Sequence, residues 1–200
     1  MGINLGDVDR SLAWLGQKDL VWPLGIEPFD RHGIGLVPKG LVLYLAGKNT
    51  GKSWACIHVG REMMKQRKRV LHVTLEMSDL KVAKRYHMAF NGLSRTMDKY
   101  TTVDFKHDKL GNVVSVDPKF IKPRISEASS QLRDKLERRM ILWHKEFEGL
   151  RIKQYPDGKL TVPSLIHYLD QLASVEQFEP NVIIVDYPDL MKVSSDNTRR

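Results

Sequence analysis

The stretch Leu41-Val42-Leu43-Tyr44-Leu45-Ala46-Gly47-Lys48-Asn49-Thr50-Gly51-Lys52-Ser53 decides how this chain is read. Its first six residues are a continuous apolar run of strand length, the pattern of a parallel strand covered on both faces. The next segment, Gly47 to Ser53, is polar, carries two glycines and ends in Lys-Ser. A helix is expected to follow from about residue 53 to 66. A small residue at 46, four free positions, then Gly51, Lys52 and a hydroxyl fit the relaxed phosphate-loop pattern, with Ala46 in place of the usual first glycine. The chemistry needs these types. Glycines let backbone amides turn inward around phosphate oxygens, and the following helix presents unpaired N–H groups at the positive end of its dipole. Lys52 is expected to neutralise the β and γ phosphates, and Ser53 to place its hydroxyl on Mg²⁺. Gly47, Lys48, Asn49 and Thr50 line the loop, and Trp54 donates its backbone N–H. The competing reading is an ordinary glycine turn.

Outward from this loop the elements alternate. Val70 to Leu75 is a second apolar run rich in β-branched residues, which makes a strand–helix–strand unit with the first. Ser78 can cap a helix carrying Leu80, Ala83 and Tyr86. Residues 91–118 are polar and Gly-interrupted. Alternation at Val103 and Phe105 and again at Val114 and Val116, across residues 109–112, permits a hairpin there, and the segment reads as an insertion. Apolar residues at Ile125, Ala128, Leu132, Leu136, Met140, Trp143 and Phe147 predict one helix ending near Gly149. Leu150 to Gln154 reads as a strand, Pro156-Asp157-Gly158 as a turn, and the stretch around Pro163 as the opening of a helix with Leu165, Ile166, Leu169 and Leu172. Residues 181–186 form a last buried strand. The alternation predicts a three-layer α/β fold with a mainly parallel sheet. Residues 1–23, with Val8, Leu12 and Leu15 on one helical face, form an amino-terminal linker or helix, and 24–200 the core.

Composition narrows the classes. The chain has 200 residues, 42% hydrophobic and 28% charged, with no run approaching the roughly 20 apolar residues of a membrane helix. Its single cysteine, Cys56, excludes an internal disulfide and a four-cysteine zinc site. The start lacks the basic and apolar regions of a secretory signal, so a cytoplasmic location is expected. The seven histidines form no metal-ligand spacing. Net charge is +8, with Arg61, Lys65, Arg67, Lys68, Arg69, Lys81, Lys84 and Arg85 concentrated in one stretch. This favours a polyanionic partner through non-specific attraction, though a solvated helix face accounts for it equally well.

Hydrolysis of a bound nucleotide needs a carboxylate on the metal and a group to orient water. Asp186 ends the last strand at the sheet edge from which the phosphate loop springs, and would hold Mg²⁺ through water. The residue after it is Tyr187 rather than a glutamate, so the base must come from elsewhere. Glu76 is the candidate, because it ends the second strand at the same edge. Its alternative role is a carboxylate favoured at the start of the next helix.

Three motifs in order, Ala46 to Ser53, Leu75-Glu76-Met77-Ser78 and Asp186-Tyr187-Pro188-Asp189-Leu190-Met191, resemble the RecA-type ATPase domain of DnaB-like replicative DNA helicases, particularly phage-encoded relatives. The lead-in Gly25-Ile26-Glu27-Pro28-Phe29-Asp30 is also similar, so the likeness covers about residues 24 to 193. The resemblance implies an ATP hydrolase with a RecA-like P-loop fold, with Lys52 and Ser53 on nucleotide and metal, Glu76 as hydrolytic base and Asp186 as metal carboxylate. It implies ATP and Mg²⁺ as cofactors, single-stranded DNA as partner and a homo-oligomeric, hexameric ring, in the host cytoplasm if phage-encoded. Family members carry a further strand between the phosphate-loop strand and the aspartate strand, and later basic residues that reach a neighbour's γ-phosphate. Neither lies in these 200 residues, so a fragment of a longer ATPase, or a shortened relative whose sheet is completed differently, is expected. Two other functions remain open: a recombinase-like ATPase without unwinding activity, and a non-catalytic nucleotide-binding assembly module.

Overall fold

A computed structural model describes residues 6–15, 20–47, 49–92, 100–108, 113–121 and 130–192. It divides into two compact units, residues 1–46 and 47–200. In the first, α1 spans Val8–Leu15, β1 Trp22–Pro23, α2 Glu27–Asp30 and β2 Gly35–Leu36. β1 and β2 pair antiparallel, Trp22 opposite Leu36. The Asp30 side chain fixes the turn by accepting a hydrogen bond from the Leu24 N–H at 2.7 Å. The expected face of α1 is solvated, with Val8, Leu12 and Leu15 each more than 60% exposed.

The predicted strand at residues 41–46 is not formed. These residues have no regular secondary structure, and Leu41, Leu43 and Leu45 are exposed. A strand exists only as one half of a hydrogen-bonded ladder, and no ladder among the described residues includes this run. The apolar run, expected to be the first central strand, is therefore not one: its composition suits a strand but supplies no partner.

The second unit is built on three parallel strands, β3 (Val70–Thr74), β6 (Leu150–Gln154) and β7 (Val182–Asp186), in the order β6-β3-β7. Val70 lies opposite both Leu150 and Val182, and Thr74 opposite both Gln154 and Asp186. β3 is buried at all five positions, as its unbroken apolar and β-branched sequence requires of a central strand. Between β3 and β6 come α4 (Asp79–Asn91), an antiparallel hairpin of β4 (Tyr100–His107) and β5 (Val113–Ile121), α5 (Ser130–Leu142) and α6 (His144–Glu148). α7 (Val162–Val175) connects β6 to β7, and α3 (Lys52–Lys65) precedes β3.

The three layers follow from the handedness of parallel crossovers. The path from β3 to β6 and the return from β6 across β3 to β7 run in opposite directions, so connections of one hand put their helices on opposite faces. Period-2 alternation then sorts the side chains of β3. Leu71 and Val73, with Leu75 just beyond the strand, join Leu160, Leu172 and Phe178, with Leu165 and Leu169 of α7 packed against them. His72 turns to the other face, where its Nδ1 lies 2.9 Å from the hydroxyl of Tyr86 on α4. That face is closed by Ile57, Met63 and Met64 of α3 and by Val82, Tyr86 and Phe90 of α4. Gly60 permits the approach of α3, since a Cβ there would overlap the Tyr86 hydroxyl and lie 3.1 Å from Ile184.

Helix ends match their sequence signals. Ser78 caps α4, accepting from the Lys81 N–H at 3.3 Å. Thr161 and Ser164 form a reciprocal capping box at the start of α7. The inward face of α4 is Val82, Tyr86 and Phe90 rather than the expected Leu80, which is 61% exposed. The hairpin is present, with Phe105 opposite Val116. The single helix expected up to Gly149 is instead two, broken at Trp143. Trp143 and Phe147 reach Phe90 with ring centroids 5.1 and 4.9 Å away, while Ile141 and Leu142 are exposed. The two aromatics of the stripe, four residues apart, both meet α4 at Phe90. Residues 122–129, which include Ile125 and Ala128, lie outside the described residues. No helix of the described residues is long and apolar enough to cross a membrane.

Candidate nucleotide site

α3 leads into the amino end of β3, so it runs antiparallel to the strands. Its own amino end therefore stands at their carboxyl edge, where β3 delivers Glu76 and β7 delivers Asp186. In the loop, Asn49 (φ 62°) and Gly51 (φ 97°) take left-handed backbone conformations. Glycine adopts this region freely and asparagine tolerates it. Gly51 is the residue before the first turn of α3 and has no side chain with which to cap it, so the first amides of the helix are left for a ligand or water. The Thr50 hydroxyl donates to the Gly47 carbonyl at 2.6 Å, and Lys52 Nζ donates to the same oxygen at 3.1 Å. The turn is thus drawn around one carbonyl, with the lysine folded back over it. Lys48 lies outside the described residues.

Lys52 Nζ is also 6.0 Å from the ring centroid of Tyr187, the residue after β7. Tyr187 was noted in the sequence only as the residue standing where a glutamate was sought. The structure makes it a neighbour of the phosphate-loop lysine. Asp186 beside it is 2% exposed, and its Oδ2 is buried without a hydrogen-bond partner among the described residues. Burying a carboxylate oxygen unpaired is costly, and such atoms call for an explanation. The charge of Asp186 is felt one helical turn into α3, at Cys56, whose thiol is pushed up to about 11, chiefly by burial and then by this carboxylate. A thiol so placed is a packing residue.

Glu76 follows β3 in a turn that Thr74 organises. The Thr74 hydroxyl donates to the Met77 carbonyl at 2.9 Å and accepts from the Met77 N–H at 3.1 Å. The Leu75 N–H donates to the Asp186 carbonyl at 3.0 Å, so the ladder carries on past the strand ends and holds the two carboxylate-bearing segments side by side. Glu76 itself is exposed at this edge, and Ser53 is half-buried in the first turn of α3. The structure therefore collects Gly47, Asn49, Thr50, Gly51, Lys52, Ser53, Trp54, Glu76 and Asp186 at one end of the sheet. The direct side-chain link it shows runs between Lys52 and Tyr187.

Arg85 of α4 was not among the expected site residues. Its guanidinium carbon is 5.2 Å from the Trp54 ring centroid. The sequence marked it only as one of a concentrated stretch of basic residues, and nothing there paired it with a tryptophan 31 positions earlier. Among the described residues no three His, Cys, Asp or Glu side chains group as a metal cage. Mg²⁺ held with a nucleotide does not require one, because a hydroxyl, one carboxylate, waters and phosphate oxygens complete its octahedron. The orphaned Asp186 oxygen and the Ser53 hydroxyl fit that role. No protein-family model matches the chain, and comparison with curated proteins finds no match.

Proposed function

We propose that this chain is the ATP-binding and ATP-hydrolysing motor domain of a DnaB-like replicative helicase, a RecA-type P-loop unit acting with Mg²⁺ on single-stranded DNA in a ring. The observation that carries this reading is the convergence at one sheet edge. A loop of phosphate-binding sequence, with inverted backbone at Asn49 and Gly51, opens a helix whose lysine sits over the residue next to a buried, unsatisfied aspartate.

In the reaction proposed, the loop amides and Lys52 hold the triphosphate and offset its charge, which positions the γ-phosphoryl group. Ser53 and, through water, Asp186 would hold Mg²⁺, which supplies charge neutralisation between the β and γ phosphates. Glu76 accepts a proton from the attacking water as its oxygen bonds to the γ-phosphorus. The bond from that phosphorus to the bridging oxygen breaks, and ADP leaves with the electron pair. DNA contact draws on the surplus of basic residues, including the exposed Lys81 and Lys84 on α4.

Turnover of ATP measured with and without single-stranded DNA tests the reading. DNA-stimulated hydrolysis supports a motor, and a chain that binds no nucleotide sinks the proposal. A second reading, a nucleotide-binding assembly module without turnover, is favoured by one observation: among the described residues the 41–46 run forms no strand. It predicts saturable ATP binding and no phosphate release.

A further inference from the structure

Resting on that nucleotide-site reading, we propose that Trp54 and Arg85 form the base-stacking platform of the site, the indole receiving the nucleobase of the nucleotide whose phosphates the 47–53 loop holds. Trp54 directly follows Ser53 and belongs to the first turn of α3. It is 43% exposed, whereas Ile57, Val59, Met63 and Met64 further along the same helix are buried. Exposure alone does not mark the ring, since single exposed apolar side chains are ordinary; its bracing by a cation does.

The ring is nevertheless held. α4 packs along α3, and its Arg85 sets a guanidinium over the indole at 5.2 Å from the centroid, a cation–π contact between two helices. One side of the ring thereby faces a planar cation, while the residue keeps 43% of its surface exposed. An indole fixed in this way is pre-organised for stacking, since less side-chain freedom is lost when a planar partner arrives. Every nucleobase offers a π-face, so the platform selects for the class of nucleotide ligands rather than for one base.

A second observation points to a ligand at this same end of α3. The Asp186 Oδ2 is buried and unpartnered beside Tyr187, over which Lys52 sits. Phosphate-side groups and an exposed, braced ring thus flank the first turn of one helix, the arrangement a nucleoside triphosphate spans and a bare phosphate does not.

The test is calorimetric titration of the full chain, in Mg²⁺ buffer, with two probes: ATP and inorganic tripolyphosphate. Trp54→Ala should weaken ATP binding about 5- to 100-fold, the range for one lost base–aromatic stack, and leave tripolyphosphate unchanged. Trp54→Phe should restore most of the ATP affinity. In a second measurement, ATP should shield one indole from acrylamide quenching in the unsubstituted protein, and this protection should vanish in Trp54→Phe. Equal weakening of both probes, or ATP affinity untouched by Trp54→Ala, overturns the platform while leaving the phosphate loop standing. If the unsubstituted chain binds neither ATP nor tripolyphosphate, the nucleotide-site reading itself fails.

Discussion

Acidification should destabilise the second unit through His72, and the size of the effect can be worked out beforehand. His72 sits on the central strand, fully buried, with Nδ1 at the Tyr86 hydroxyl and Nε2 buried without a hydrogen-bond partner among the described residues. Burial, reinforced by the Arg85 charge, pushes its pKa down from 6.5 to about 4. The folded value is depressed, so the neutral imidazole is the form the fold accepts. Between pH 6.5 and about 4 the unfolded chain binds a proton that the native state does not, and stability falls as pH falls. The full gap of about 2.5 pKa units corresponds to about 3 kcal/mol, of which about 2 kcal/mol is lost between pH 7 and pH 5. Urea unfolding at these two pH values measures the loss, which is a substantial share of a typical domain stability. The paired substitution His72→Leu with Tyr86→Phe removes both polar partners together and should flatten this part of the pH dependence. His87, half-buried and also pushed down by burial, contributes a smaller slope of the same sign in both proteins. A pH 7 to pH 5 loss identical in the two proteins would refute the reasoning.

Other consequences follow from single residues. Lys52→Ala should abolish nucleotide binding in the same titrations, since it removes the cation facing the β and γ phosphates. Glu76→Gln should retain ATP while turnover falls at least a hundredfold, a loss typical of a removed general base; unchanged phosphate release would take Glu76 out of that role. Gly60→Ala drives a methyl group into the Tyr86 hydroxyl and towards Ile184, and should cost about 1–3 kcal/mol in denaturant unfolding. Cys56, with its thiol pushed up to about 11, should be about one part in a thousand ionised at pH 8 and label slowly with a disulfide reagent until the protein is unfolded.

The elements that the sequence revealed share a physical feature: their signals are local. Ser78 and the Thr161–Ser164 box announce helix starts because a side chain and a backbone N–H three residues on satisfy each other without help from elsewhere. The runs at 70–74 and 182–186 declared strands, and the first is buried at every position because a strand covered on both faces must be apolar on both; the second is buried only at Ile184 and Asp186, with Ile183 exposed. Even Glu76 and Asp186 were placed at one edge by the rule that parallel strands end together. The long apolar stripe misled because its spacing reports which residues seek a core, not whether the backbone between them stays straight. Trp143 and Phe147 pack on Phe90, while the helical assignment is interrupted at Trp143 itself.

The run at 41–46 is the opposite case. Its composition is as strand-like as that of β3, yet β3 is a strand because Leu150–Gln154 and Val182–Asp186 lie on either side of it. Hydrogen-bond satisfaction is a property of pairs, so no single stretch can carry it. The same logic governs the candidate site. The phosphate-loop pattern could be recognised one residue at a time, because it is defined by residue types at fixed local spacing. Tyr187 beneath Lys52 and Arg85 on Trp54 could not, because each joins segments whose separation in sequence says nothing about their distance in space. The feature that sets the site apart is also of this second kind: a carboxylate oxygen of Asp186, buried and without a hydrogen-bond partner among the described residues.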